Sequence, residues 1–331
     1  MSGESIGILG TGIYVPEQVL TNFDLEKMVD TSDQWIRERS GIIERRIAAP
    51  EESVASMATA AARQALEAAG IAPTDLKYII VGTNSPDYVF PSIAIRVQHD
   101  LGLNDQLGAF DVLAGCSGFN YGLYIAERLV KATGGYALVI GSDANSRMID
   151  WTDRSTCVLF GDGAGAAVVG PTTQSRLIGS FIASRYNPKL SLATEFNHLN
   201  SPFLPSVSKP KNYMYMDGPE IYKFAINAVR DSIRRVLEVA RMSREEIDFL
   251  IIHQGNYRIL ETGARFAKVP MDKVYANIDR YGNTSAASVP IAFHEALQEG
   301  KIQPGHKVVM ISFGAGVTWA GNVVEWGTGS S

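Results

Sequence analysis

The stretch ALEAAGIAPTDLKYIIVGT, residues 65–83, returns as VLEVARMSREEIDFLIIHQ at 236–254, with Leu66-Glu67 falling on Leu237-Glu238 at a constant offset of 171. Both copies read as the end of a helix, a short polar loop and an unbroken apolar run. An apolar run without polar alternation suits a strand covered on both faces. A weaker pairing follows downstream, where GCSGFNYGLYIAERLVKATGGYALVIG at 115–141 lies against NTSAASVPIAFHEALQEGKIQPGHKVVMIS at 283–312, Glu127 on Glu295. The chain therefore reads as an α/β protein of two duplicated halves, 1–170 and 171–331. Related halves packed about a pseudo-twofold axis bring equivalent strand ends together, and strand ends are where α/β sheets bind ligands. The site is expected to draw on both halves.

Composition narrows the classes of function. The 331 residues are 46% hydrophobic and 20% charged, which permits a large buried interior. A net charge of −5 from 30 basic and 35 acidic residues, with no block of like charge, leaves no footprint for nucleic acid. No run reaches the roughly 18 apolar residues of a membrane span. The N-terminal SIGILGTG reads as a first strand rather than a signal peptide. Cys116 and Cys157 are too few for a disulfide framework and point to a reducing, cytoplasmic setting. The stretch at 184–218, dense in Pro, Ser and Asn, reads as a long surface excursion of the kind that often carries function. The final GTGSS reads as a loose tail.

Cys116 follows the strand-like FDVLA and precedes apolar residues at helical spacing, Phe119, Leu123, Ala126 and Leu129. A thiol at a helix start is expected to have its pKa lowered by the N–H groups and the positive dipole end. The same position also suits a small buried cysteine. Cys157, inside a β-rich apolar run, reads as structural. Among the five histidines, His253 closes the run FLIIH at the mouth of a buried strand, while His294 and His306 suit packing or surface positions. No pair has the spacing of metal ligands. Asn283, in YGNTSAASVP, could donate a hydrogen bond near the axis, but spacing alone favours an ordinary helix cap. The glycines of GTG at 10–12 and GDGAGA at 161–166 read as tight turns, not phosphate loops. FGAGVTWAG at 313–321 brings backbone close to something, with an oxyanion-binding N–H as one role.

Taken in order, AGCSGFNYGL, HQGNYRI, YGNTSAASVP and FGAGVTWAG resemble the β-ketoacyl-acyl-carrier-protein synthase III family of the thiolase superfamily. TSDQWIRERSGIIERR, DWTDRSTCVLFGDGAGAAVV and MDGPEIYKFA extend the likeness over nearly the whole chain. The resemblance implies an αβαβα thiolase-like fold, a homodimer and a catalytic set of Cys116, His253 and Asn283. It implies acyl transfer from a short acyl-CoA to Cys116, then decarboxylating condensation with malonyl-acyl-carrier protein, the two thioesters serving as substrates and no cofactor being required. The N–H groups of Cys116 and Ala315 would bind the oxyanion. Trp35, Arg39 and Arg154 would form the CoA site, Phe90 and Phe160 the acyl pocket, and Arg258 and Lys223 the contact with carrier protein. Ser40 in place of a usual threonine, HQGN in place of HQAN, and GAGVTWAG in place of GGGFTWG are departures that bear on pocket shape. Specialised enzymes with the same triad, for polyketide starters or quinolones, are the alternative, and a non-catalytic partner subunit is a further one.

Overall fold

The computed structural model describes residues 5–103, 107–194 and 213–327. His198, the middle of the 184–218 segment and the tail at 328–331 lie outside the described residues. One sheet is built from β1 (Ser5–Tyr14), β2 (Leu76–Gly82), β3 (Gly108–Val112), β4 (Tyr136–Ala144) and β5 (Asp162–Thr172), in the order β1-β5-β4-β2-β3. The second large sheet, beside two small two-stranded ones, is built from β6 (Ser175–Ser184), β7 (Phe249–Ile252), β8 (Lys307–Gly314) and β9 (Thr318–Trp326), in the order β7-β8-β9-β6. Strand senses repeat as well: β2 runs parallel to β4, with Ile80 beside Val139, as β7 does to β8, with Ile251 beside Met310. In each sheet a long antiparallel strand, β5 or β9, then links to β1 or β6. Only β3 has no counterpart, and it forms the free edge of the first sheet.

The principal helices are α1 (Asp33–Ser40), α2 (Val54–Ala69), α3 (Ile93–Asp100), α4 (Gly118–Thr133), α5 (Gly218–Ala240), α6 (Tyr257–Ala267) and α7 (Ser288–Gln298). α2 covers the outer face of the first sheet and α5 that of the second, while α4 and α7 lie between the sheets and touch both. The result is five layers, αβαβα. Buried runs such as Ile79-Ile80-Val81 and Leu250-Ile251-Ile252 are apolar throughout because helices close both faces of their sheets. Among the described residues, no helix is long and apolar enough to cross a membrane.

Two sequence expectations are corrected. Gly10, Gly12, Gly163 and Gly165 lie within strands β1 and β5, not in tight turns. Their lack of a side chain serves contact between layers: a Cβ at Gly12 would lie 2.4 Å from the Ala61 carbonyl of α2, and one at Gly165 would lie 2.7 Å from Pro290 Cβ of α7. Cys157 is fully buried as expected, but in turns between β4 and β5 rather than in a strand.

Candidate active site

The loop after β3 carries Cys116 to the residue just before the Ser117 N-cap of α4, between the sheets. Gly115 adopts φ 58, and Thr318 Oγ1 donates to the Ala114 carbonyl at 2.6 Å, tying the loop to the start of β9. The 314–315 backbone presses against this loop. A Cβ at Gly314 would lie 2.3 Å from the Cys116 nitrogen, and one at Gly115 would lie 2.5 Å from the Ala315 nitrogen. The N–H groups of Cys116 and Ala315 thus belong to two backbone segments in direct contact, and only glycine at 115 and 314 permits that approach.

Cys116 is 7% exposed. Its thiol does not follow the expectation of a lowered pKa: burial, which disfavours the thiolate, pushes it up to about 12, with the Ser285 hydrogen bond acting in the opposite direction. The helix start was legible in sequence; the desolvation was not. Ser285 Oγ lies 3.4 Å from the sulfur.

His253 leaves the end of β7, its N–H donating to Ile311 of β8 at 2.8 Å. The ring stands edge-on to Phe313, with centroids 5.0 Å apart. Nδ1 lies 2.6 Å from Ser288 Oγ, which also accepts from the Gln254 N–H at 3.4 Å. With no other acceptor for the hydroxyl proton among the described residues, the network assigns that proton to Nδ1 and leaves the ring proton on Nε2. Burial lowers the pKa of His253 to about 3, so the ring is neutral at physiological pH. A Cβ at Gly255 would approach Nε2 to 3.1 Å, so glycine there leaves Nε2 uncovered.

Asn283 is held by backbone pairing with the 159–161 segment: its N–H donates to Leu159 at 2.9 Å and its carbonyl accepts from Gly161 at 3.1 Å. Phe160 is thereby fixed beside it, 2% exposed. Asn283 Oδ1 accepts from the Ser285 N–H at 2.9 Å. Its orientation is therefore set, and Nδ2 is left as a donor with no partner among the described residues. Phe313 touches His253, Gly314 touches Cys116, and Ser285 links Asn283 to the Cys116 sulfur. These contacts bring Cys116, His253 and Asn283 to one buried place supplied by both sheets.

The remaining sequence candidates fall into separate groups. Trp35 on α1 has the guanidinium of Arg154 4.9 Å and that of Arg39 5.9 Å from its ring centroid. Arg258 donates to the Glu38 carbonyl at 2.7 Å, and Asn256 to the Arg39 carbonyl at 2.8 Å, so the start of α6 braces the end of α1. Ser40 is buried and donates to the Ile36 carbonyl. Phe90 is 83% exposed. Lys223 lines a different cleft of about 730 Å³ with Arg185, Arg230 and Trp319, which none of Cys116, His253 and Asn283 borders. Ser285 and Ser288 were not singled out from sequence; their one signal was their place in the small-residue run after Asn283. Among the described residues, no cluster of His, Cys, Asp or Glu is arranged to hold a metal ion.

Comparison with known proteins supports the same architecture. The family model for 3-oxoacyl-[acyl-carrier-protein (ACP)] synthase III matches residues 110–185, and that for the C-terminal part of the same family matches 237–326. The chain is 48% identical over 330 residues to beta-ketoacyl-[acyl-carrier-protein] synthase III of Caldanaerobacter subterraneus subsp. tengcongensis, covering 97% of each chain. It is 46% identical over 323 residues to the protein of that name from Geobacillus kaustophilus, covering 97% of this chain and 99% of the other. The crystal structure of 3-oxoacyl-[acyl-carrier-protein] synthase III from Aquifex aeolicus superposes with a TM-score of 0.89 at 43% identity, covering 97% of this chain and 100% of that one.

Proposed function

The chain belongs to the 3-oxoacyl-acyl-carrier-protein synthase III family, and from that membership we propose how its own residues perform the condensation that initiates fatty-acid synthesis. Cys116 gives up its thiol proton as its sulfur attacks the carbonyl of a short acyl-CoA, forming a C–S bond; the N–H groups of Cys116 and Ala315 hold the oxyanion until the bond to CoA breaks and the departing CoA sulfur takes up a proton. Malonyl-acyl-carrier protein then enters. His253 Nε2–H and Asn283 Nδ2–H donate to its thioester oxygen as the bond to CO₂ breaks and its electron pair forms the enolate. The enolate carbon attacks the acyl-cysteine carbonyl, and the Cys116 thiolate departs from a 3-oxoacyl product. The observation that carries this reading is the pairing of Asn283 Oδ1 with Ser285 and of His253 Nδ1 with Ser288, which leaves both donors free.

The surroundings support further assignments. Trp35, Arg39 and Arg154 offer a ring and two guanidinium groups to the flat base and phosphates of CoA. Phe160, against Asn283, borders the acyl pocket. Asp111 on β3 accepts from the Ile93 and Ala94 N–H groups, holding the exposed Tyr88, Val89 and Phe90 near the free edge strand and the exposed Leu113. A second copy of the chain would cover this apolar edge, with Phe90 reaching the partner's acyl pocket. Arg258 and Lys223 are the basic contacts for the carrier protein. The thioester substrates supply the only carrier groups, no resident cofactor is needed, and the free cysteines suit the cytoplasm.

Labelled acetyl-CoA followed by intact mass tests the reading. One acyl group is expected on the protein and none on Cys116→Ala; an unmodified protein across a panel of acyl-CoAs would overturn it.

A further inference from the structure

Asp143, the penultimate residue of β4, is completely buried, and among the described residues no Lys or Arg pairs with it. Six donors converge on its carboxylate. Oδ1 accepts from Thr83 Oγ1 at 3.1 Å, the Asn84 N–H at 2.7 Å, the Ser85 N–H at 3.1 Å and Ser85 Oγ at 2.8 Å. Oδ2 accepts from the Ala286 N–H at 3.1 Å and from Asn84 Nδ2 at 3.3 Å. The other Nδ2 proton of Asn84 goes to Ser285 Oγ at 3.0 Å. Because that oxygen accepts from Asn84, its own proton is turned to its remaining neighbour, the Cys116 sulfur at 3.4 Å.

Ser285 is also held in an unusual backbone state. Its φ is 54, the left-handed region that side chains with a Cβ rarely adopt. The Ser285 N–H on Asn283 Oδ1 and the Ala286 N–H on Asp143 hold it there from either side. Strain of this kind persists where the surroundings over-determine it, and here it aims one hydroxyl at one sulfur.

We propose that Ser285 is the side-chain donor that stabilises the Cys116 sulfur as a thiolate, and that Asn84 and Asp143 are positioning residues that orient its hydroxyl. The proposal rests on Cys116 being the nucleophile. A buried sulfur loses water as a donor, and a fixed hydroxyl returns one hydrogen bond to the charged form. Of the titratable groups around the sulfur, Asp143 on β4 acts against the thiolate by its charge, and His253 after β7 is neutral. Asp143 is separated from the sulfur in the hydrogen-bond chain by Asn84 and Ser285, so its effect through the relay is favourable where its direct field is not.

The test is the pH dependence of Cys116 alkylation by iodoacetamide, read at the peptide level, in the full chain and in Ser285→Gly and Asn84→Ala. Glycine keeps the left-handed backbone and removes the CH2OH side chain, the donor with it. The alkylation rate at pH 7–9 is expected to fall roughly tenfold in Ser285→Gly, the equivalent of one unit in the thiol pKa, and by less in Asn84→Ala. An unchanged rate in Ser285→Gly overturns the proposal; if that variant does not fold, an unchanged rate in Asn84→Ala does so. A fall in Ser285→Gly without one in Asn84→Ala overturns the relay and retains the donor. Alkylation needs no acyl-CoA, so failure of the unsubstituted protein to form an acyl-enzyme overturns the condensing reading separately.

Discussion

Ser288 Oγ stands 2.6 Å from Nδ1 of His253, at the first residue of the helix that the second half sends between the sheets. The contact joins a strand end to a helix start and thereby selects which nitrogen of the ring faces the site. In the proposed mechanism, a donor at Nε2 serves where the thioester oxygen of the extender gains charge.

Ser288→Ala removes this partner and frees the ring to exchange tautomers. Decarboxylation of the malonyl thioester is expected to fall by about tenfold or more, and His253→Ala by on the order of 10²–10³, the loss typical of a missing oxyanion donor. Acyl transfer to Cys116 should change much less in both. Single-turnover CO₂ release and acyl-enzyme formation measure the two halves; equal losses would reassign the pair to packing.

Burial that holds His253 near a pKa of about 3 has a defined effect on stability. Between about pH 6.5, the ordinary histidine value, and 3, the unfolded chain binds a proton that the folded chain does not. Stability contributed at this site therefore falls as pH falls through that window, approaching about 1.4 kcal/mol per pH unit. Urea midpoints of the protein and of His253→Gln, compared from pH 7.5 to 5.5, should show the unsubstituted protein losing more on the acid side. The decarboxylation profile should show no inflection near 6.5, and one that vanished in His253→Gln would contradict the neutral ring.

Gly314→Ala places a Cβ 2.3 Å from the Cys116 nitrogen, so the two backbone segments must separate. A destabilisation of about 1–3 kcal/mol is expected from the overpacking, together with loss of acyl-enzyme at temperatures where the variant is folded. Gly218→Ala, where a Cβ meets nothing within 4 Å, is the control and should leave both unchanged. Intact mass and thermal melts decide.

Trp35→Ala removes the ring that the guanidinium groups of Arg39 and Arg154 approach. Apparent affinity for acetyl-CoA is expected to fall by roughly 5- to 30-fold, the equivalent of about 1–2 kcal/mol. Acylation by the N-acetylcysteamine thioester, which has no nucleotide, should be unaffected. A similar loss with both donors would assign Trp35 to holding α1 in place.

The repeat at 65–83 and 236–254 was legible because a strand buried on both faces has to be apolar throughout, and that demand is local. Cys116, His253 and Asn283 were legible as types at particular ends of elements. The glycines at 10, 12, 163 and 165 were misread because their requirement comes from helices far away in sequence. Asn84 and Ser285 stand 201 residues apart in ordinary polar contexts, and nothing local marks them as partners.

By itself the sequence determined the α/β class and the family resemblance, and through that resemblance named the three residues proposed as the centre, since each rests on pattern or motif along the chain. Only the tertiary structure decided the state of those residues. Desolvation raises the Cys116 thiol where a helix start alone would lower it, the partners at Ser285 and Ser288 choose which atoms of Asn283 and His253 remain as donors, and the 314–315 backbone meets Cys116 only when two sheets close on α4 and α7. Burial and hydrogen-bond direction depend on atoms brought from both halves, and linear order does not contain them.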